Sequence, residues 1–419
     1  MNPLLCDPPR PLVAARAAEI RPFPLSPGLW TLALLALPLT ACRPRPFPQY
    51  PANYREYAYV TNSGSNTVTA IDVVDVRIDR ELAVGQDPVA VAASPTRNEV
   101  YVVNSGPPAG AGSLSVIDAE HNRVVATIPL HRQPLSIDLD AKGDFAYVAN
   151  SGSNTVSVVD LRSRREIAQI PAGDRPDAAA IAPDGKTLVV ADRKGGSVSL
   201  IDPATGRVRA VFSGCPGAID PIVLRDSSKA FVPCSEGHQV MVIALAHPEG
   251  NPSSPGGPEN KSSPAEWAPD RLETLMDVGR APINVALKPD GGELFVSNSL
   301  SDSISEVVTN SNDVGGAYMM GASPVRGLVS RDNALLYVAN LRSQYVTIYS
   351  IDDGRRIGSI HVGDGPCALA FSANSYLLFA VDSRSGDVAV VRTPSESLFT
   401  LLPTGRDPTA IVDKAFKVP

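Results

Sequence analysis

The chain has 419 residues, of which 43% are hydrophobic and only 5% aromatic, and it contains 39 prolines and 32 glycines. Its formal net charge is −7 and no run of Lys or Arg stands out, which argues against non-specific electrostatic binding of nucleic acid. Nucleic acid is therefore not expected as a partner. Five cysteines are too few for a scaffold built from disulfides, and the composition suits many short strands joined by tight turns.

The N-terminal segment predicts export and lipid attachment. Arginines precede a short apolar run, Leu29–Ala41, which is shorter than the ~20 residues that a membrane-spanning helix needs. Such a run is typical of a signal peptide, and Leu39-Thr40-Ala41-Cys42 resembles the bacterial lipobox, whose cysteine accepts the lipid. We expect a signal peptide over 1–41, lipidation at Cys42 and a Pro-rich tether over 42–55. The protein would then be anchored to a membrane of the bacterial cell envelope, in the periplasm or on the cell surface. An ordinary cleavage site followed by an incidental cysteine is the alternative.

From residue 56 onward the chain repeats one pattern. Tyr59–Asp72 (YVTNSGSNTVTAID) and Tyr147–Asp160 (YVANSGSNTVSVVD) are nearly identical, and weaker copies recur, mostly at intervals of about 42 residues. The fourth residue of each copy is usually asparagine, and the eight positions are Asn62, Asn104, Asn150, Asp192, Cys234, Asn298, Asn340 and Asp382. A Gly-x-x-Pro motif precedes most copies. Because proline has no backbone N–H, it belongs at the start of an edge strand.

Each repeat predicts four strands, which we name A to D. Strand A follows the Gly-x-x-Pro motif, strand B is the YVxN segment, strand C is the alternating TVSVVD segment, and strand D ends at the next glycine. Four strands in about 42 residues are typical of a β-propeller blade, so we predict an all-β fold. Eight B–C–D sets occur, and a last strand A, Pro408–Asp413, follows them. We therefore predict eight blades, with the C-terminal strand completing the first blade and closing the ring. Seven blades is the alternative, if the degenerate fourth or fifth unit does not form.

The YVTN and YVAN strands, with their Gly-x-x-Pro motifs, resemble those of the YVTN-repeat propellers of prokaryotic surface and periplasmic proteins. The resemblance covers roughly residues 56 to 413 and implies a single propeller domain over 56–419. It implies a binding or scaffolding module for a protein or small ligand at the channel mouth. Some similar propellers are lactonases or oxidoreductases, so a lactonase-like or other enzyme using channel Arg and Asp residues is the alternative. The chain has no G-x-S-x-G, C-x-x-C-H or C-x-x-C motif, and we assign no catalytic residue, metal or cofactor.

Positions that hold the same residue in several repeats indicate a structural role, so we interpret Asn62, Asn150 and Asn340 as structural. Departures from the repeat are the candidates for function. The largest is a Pro/Ser/Gly-rich insertion at 246–270, which is too polar to hold its own fold and contains Trp267. It is either a tolerated surface insertion or a loop that binds a partner.

Two cysteines depart from the pattern together. Cys215 and Cys234 replace the usual glycine and asparagine of one A–B hairpin. Antiparallel pairing puts the start of strand A beside the end of strand B, so in an oxidising compartment we expect a disulfide between them. Two free buried thiols are the alternative.

Strand A lines the predicted central channel, and its irregular positions carry the ligand-site prediction. Three consecutive units place Asp220, Asn284 and Arg326 two residues after the proline position, where most other units have alanine or serine. We expect these three side chains to lie side by side on one wall. The further candidates, one step along strand A or just before the proline at the channel mouth, are Asp138, Arg132, Arg175, Arg280, Arg406 and Asp407. Polar groups that converge in a concavity predict a ligand site, and a water-filled channel is the alternative.

Overall fold

The computed structural model describes residues 47–248 and 267–418. Within these residues the chain forms eight four-stranded antiparallel sheets, each packed against the next around a ring. The predicted β-propeller of eight blades is therefore confirmed, and the fourth and fifth units both form blades. The predicted signal peptide, the lipidation site Cys42 and the body of the insertion lie outside the described residues, as does the side chain of Trp267.

The strands of each blade run from A at the channel to D at the rim. Strands A of blades 1 to 8 are Pro408–Lys417, Pro88–Ala93, Pro134–Leu139, Pro176–Ile181, Ile222–Val223, Pro282–Leu287, Pro324–Val329 and Pro366–Phe371. Strands B are Tyr54–Asn62, Glu99–Asn104, Phe145–Asn150, Leu188–Asp192, Lys229–Cys234, Glu293–Asn298, Leu335–Asn340 and Leu377–Asp382. Strands C are Thr67–Asp72, Ala111–Asp118, Thr155–Asp160, Ser197–Asp202, Gln239–Ala244, Ser303–Val308, Tyr345–Ser350 and Asp387–Arg392. Strands D are Arg77–Ala83, Arg123–Arg132, Arg165–Pro171, Arg207–Ser213, Arg271–Asp277, Asp313–Met319, Arg355–His361 and Ser397–Pro403.

Two smaller elements complete the described chain. A 3₁₀ turn, Thr393–Ser395, separates strands C and D of blade 8. A two-stranded pair, His247–Pro248 with Trp267–Ala268, stands at the base of the insertion. Within the described residues there is no helix of the length and hydrophobicity that a membrane span requires.

The core lies between neighbouring blades. Strands B and C are buried along almost their whole length, because each blade is covered on both faces. Strands D form the outer edge and are more exposed; Ile167, for example, keeps 55% of its surface accessible. Burial therefore follows the order of the strands from B and C outward, which explains why the YVxN segments read as continuous apolar runs.

The asparagine at the end of strand B ties that strand to strand C. The side-chain amide of Asn150 donates to the hydroxyl of Ser157 at 2.8 Å, and that of Asn62 donates to Thr69 at 2.9 Å. Asn340 repeats the contact with Thr347. These asparagines are fully buried, and their structural interpretation is supported by these bonds.

Blade 1 closes the ring with strands from both ends of the propeller. Tyr54–Asn62 pairs antiparallel with Pro408–Lys417, in a register that places Ala58 opposite Asp413. The predicted closure by the C-terminal strand is confirmed. The sheet is longer than predicted, since strand B begins at Tyr54 instead of residue 56 and strand A continues past Asp413.

Strand A of blade 5 is the least regular. It is reduced to Ile222–Val223, and Ala218 forms only an isolated bridge with Cys234. Glycines and prolines at 214, 216, 217 and 221 account for the interruption. The backbone of Asp220 has a φ of +40°, a left-handed value that breaks the extended strand.

Candidate functional site

A cavity of about 700 Å³ occupies the centre of the ring, and we call it the central cavity. Strands or loops at the A position of all eight blades contribute to its wall. Most of the lining side chains are small or apolar, including Val89, Ile283 and Leu328. The larger polar side chains gather on the sector formed by blades 4 to 7.

The structure brings Asp220, Asn284 and Arg326 together in that sector. The amide of Asn284 donates to Oδ2 of Asp220 at 2.7 Å, and Nη1 of Arg326 lies 3.6 Å from the same oxygen. Oδ1 of Asn284 accepts the backbone N–H of Gly327 at 2.8 Å. Asn284 is only 3% exposed, whereas the side chains of Asp220 and Arg326 are 41% and 46% exposed. Asn284 thus holds the carboxylate in place, while the carboxylate and the guanidinium stay accessible to a ligand.

Asp177 belongs to this polar sector and was missed by sequence reasoning. It lies one residue after its proline, at a position that is apolar in most blades, and that difference could have revealed it. Its Oδ1 forms an ion pair with Arg193 at 3.3 Å. Burial raises the pKa of Asp177, the Arg193 charge opposes this, and the charge of Asp220 adds to the increase.

A second cavity of about 680 Å³, which we call the mouth cavity, lies beside the central one, among the mouth loops of blades 3 to 5. Leu135 and Asp177 line both cavities, so the two adjoin. The charged side chains and glycines that line the mouth cavity are Arg175, Asp177, Arg193, Lys194, Glu236, Gly195, Gly196, Gly214 and Gly217. Of the predicted site residues, only Arg175 lines this cavity.

Asp138 has a different place from the one predicted. Its carboxylate accepts the backbone N–H of Ile181 in the next blade and that of Leu139, both at 2.9 Å. Burial raises the pKa of Asp138, and these two bonds partly offset the increase. The residue lines neither cavity and instead joins strands A of blades 3 and 4.

The other mouth residues, Arg132, Arg280, Arg406 and Asp407, also line neither cavity. The guanidinium of Arg280 donates to the carbonyl of Leu300 at 3.1 Å. The carbonyl of Asp407 accepts the hydroxyl of Ser63 at 3.2 Å. These contacts join mouth loops within the ring, and the structure does not gather the four residues into one group.

Cys215 and Cys234 form a disulfide, with the sulfurs 2.00 Å apart. In the other blades an asparagine at the position of Cys234 often donates to a strand C hydroxyl, but here the corresponding residue is Met241. The disulfide therefore replaces a polar contact that blade 5 lacks. Among the described residues no group of three or more His, Cys, Asp or Glu side chains is arranged to hold a metal ion.

Part of the chain is similar to a known family. The model of the family "Lactonase, 7-bladed beta-propeller" matches residues 53–217, which is less than half of the chain and falls mainly in blades 1 to 4. The structure has eight blades where that family description has seven. The uncharacterized protein YncE of Salmonella typhi is 35% identical over 98 residues, which are 23% of this chain and 26% of that protein. The match spans about a quarter of the length of this curated relative, and the YncE of Salmonella typhimurium gives the same figures.

Solved structures share the fold. The dihydro-heme d1 dehydrogenase NirN is 16% identical with a TM-score of 0.65, and the match covers 88% of this chain and 76% of that one. Apo AztD from Citrobacter koseri is 12% identical with a TM-score of 0.63, covering 86% and 98%. The hydrazine synthase of Kuenenia stuttgartiensis is 20% identical with a TM-score of 0.52, covering 80% and 92%. At these identities the likeness shows the propeller fold alone.

Proposed function

We propose that this propeller is a binding module that holds a small ligand in the central cavity, with Asp220 and Arg326 as the contacting groups. The observation that carries the proposal is their convergence, fixed by Asn284, on one sector of a cavity whose other side chains are mostly small or apolar. Such a cavity buries the body of a ligand while a few placed polar groups orient it. A preorganised carboxylate also lowers the cost of ordering the site on binding.

The sequence supports an extracytoplasmic place for this module. The lipobox-like Leu39–Cys42 and the YVTN-type repeats both fit a lipid-anchored propeller of the cell envelope, in the periplasm or on the surface. Cells fed a labelled fatty acid should incorporate the label into the full-length protein, and Cys42→Ala should abolish it. Label in the Cys42→Ala protein, or its absence from the wild type, would contradict the lipid anchor.

Ligand binding is tested on protein purified gently from envelopes of its own host. Native mass spectrometry should show a mass above that of the polypeptide and its lipid, and denaturation should release the extra mass. Arg326→Ala should lose this molecule, whereas Arg280→Ala should keep it because Arg280 lines neither cavity. A molecule retained equally by wild type and Arg326→Ala would place binding elsewhere. Absence of any bound molecule in the wild type, together with no thermal shift across a metabolite library, would contradict the function.

A lactonase is the second candidate, and the partial match to the lactonase family favours it. Arg326 would polarise the ring carbonyl and Asp220 would help to position water. The test is the hydrolysis of a simple lactone such as δ-valerolactone, followed as acid release at constant pH. Turnover that falls toward background in Arg326→Ala would support the enzyme, and equal background rates in both proteins would exclude this assignment.

A further inference from the structure

The mouth cavity gathers three cations although the chain as a whole is acidic. Its lining includes the cations Arg175, Arg193 and Lys194 against the carboxylates Asp177 and Glu236, whereas the whole chain carries a net charge of −7. A cation that lacks an ion-pair partner inside a concavity attracts ions of the opposite sign. The cavity is therefore suited to an anionic group.

Arg175 is the cation of this lining that forms no ion pair among the described residues, and Glu236 is the carboxylate that forms none. Arg193 forms an ion pair with Asp177 at 3.3 Å, and Lys194 forms one with Asp174 at 3.2 Å. Arg175 takes part in none of the ion pairs found among the described residues, and its guanidinium reaches only the side-chain oxygen of Gln133, at 3.5 Å. An exposed guanidinium with most of its donors facing solvent can pair with both oxygens of a carboxylate.

Backbone groups hold the walls of the cavity in place. The N–H of Cys215 donates to the carbonyl of Gly196 at 2.9 Å, and the N–H of Glu236 donates to that of Pro216 at 3.1 Å. The disulfide to Cys234 ties the same loop to the end of a buried strand. The wall next to Arg175 is thus formed before a ligand arrives, which favours binding of a small group.

We propose that the mouth cavity is a subsite for a carboxylate group, paired with Arg175, on the ligand whose remaining part occupies the central cavity. The two cavities share Leu135 and Asp177 in their walls, so a group bound in the mouth cavity lies next to the central cavity. One guanidinium without an ion-pair partner matches one carboxylate better than a doubly charged phosphate. This inference rests on the proposed binding function and names the chemical class of its ligand: an organic acid.

The subsite is tested with acetate alone, and acetamide serves as the neutral analogue of the same shape. Both are titrated into the ¹⁵N-labelled protein at constant ionic strength while the amide signals of Gly195 and Gly196 are followed by NMR. Acetate should shift these signals saturably and acetamide should not. Arg175→Ala should weaken acetate binding at least about tenfold, because a charge-assisted contact is lost. Arg132→Ala, a mouth arginine outside both cavities, should leave the affinity unchanged.

The Arg175→Ala variant should fold, because Ala281 occupies the equivalent position of blade 6 with a φ of +52°, the same value as that of Arg175. Equal shifts with acetate and acetamide, no shift with acetate, or equal affinity in Arg175→Ala would overturn the subsite. The co-purified molecule separates this inference from the binding function. If Arg326→Ala loses that molecule while acetate fails to bind near Arg175, the central site stands and only the mouth subsite is wrong.

Discussion

Asp382 ends strand B of blade 8, at the position that asparagine fills in most blades. In blade 4 the corresponding Asp192 is satisfied, because its carboxylate accepts the hydroxyl of Ser199 at 2.6 Å and the N–H of Gly173 at 2.9 Å. In blade 8 the hydroxyl is missing, and Asp387 faces the carboxylate instead. Asp382 is fully buried, so burial first and the adjacent carboxyl of Asp387 next raise its pKa to about 8, although the N–H of Gly363 opposes the increase.

Asp382→Asn should make the protein more stable at pH 8, with a smaller gain at pH 5. The pKa of Asp382 is raised in the folded state, so its protonation stabilises the fold. This contribution to the free energy of unfolding is complete below the unfolded pKa of ~4 and is lost as pH rises toward 8. Asparagine cannot ionise and can donate to Asp387. Urea unfolding at the two pH values should show a gain at pH 8 on the order of a few kcal/mol. Asp387→Ser should reduce the pH dependence of the free energy of unfolding. The same pH dependence in the wild type, Asp382→Asn and Asp387→Ser would contradict the interpretation.

The disulfide acts at the scale of one hairpin. It joins the loop before strand A to the end of strand B in blade 5, where strand A itself is only Ile222–Val223. The covalent link spans 19 residues of sequence. It holds the two segments together, as regular strand pairing does in the other blades. The same loop also forms a wall of the mouth cavity.

Cys215→Ala/Cys234→Ala should lower the free energy of unfolding by about 3 kcal/mol, because the unfolded chain gains the freedom that a loop of this length loses on closure. Urea unfolding with and without dithiothreitol measures this loss in the free energy of unfolding. Reductant should destabilise the wild type and Cys367→Ala, which keeps the disulfide, and should leave the double variant unchanged. A double variant as stable as the oxidised wild type would show that the link contributes nothing.

How much the sequence could predict differs between the elements. The blades were predictable because alternation, turn residues and the Gly-x-x-Pro motif repeat at one period, so each copy supports the others. Blade 5 was not predictable in detail, since replacing regular strand residues with Gly-Cys-Pro-Gly removes the pattern on which strand A depends. The contact of Asp220 with Asn284 follows from equal positions in adjacent blades. Asp138 shows the limit, because its position alone does not tell whether it faces a ligand or the N–H of Ile181.

The propeller is held as a ring by the sheet of blade 1. In every other blade strands A and B follow one another along the chain, but here Pro408–Lys417 comes from the far end and pairs with Tyr54–Asn62. The ring ends therefore meet inside a hydrogen-bonded sheet, where separation breaks a whole strand pairing. The two ends also lie side by side, since the N–H of Val418 donates to the carbonyl of Asn53 at 2.9 Å.

A pair of circular permutants isolates this closure, and both join residue 418 to residue 53 through the same short Gly/Ser linker. The first begins at Gly405 and ends at Thr404, so that blade 1 becomes an ordinary blade and the ring ends meet only by packing between blades 8 and 1. The second begins at Gly143 and ends at Lys142, which divides blade 3 between the two ends as blade 1 is divided naturally. We expect the first to unfold at a lower urea concentration, and less cooperatively, than the second, which should stay close to the wild type. Equal midpoints for the two permutants would mean that side-chain packing between blades closes the ring as firmly as the shared sheet does.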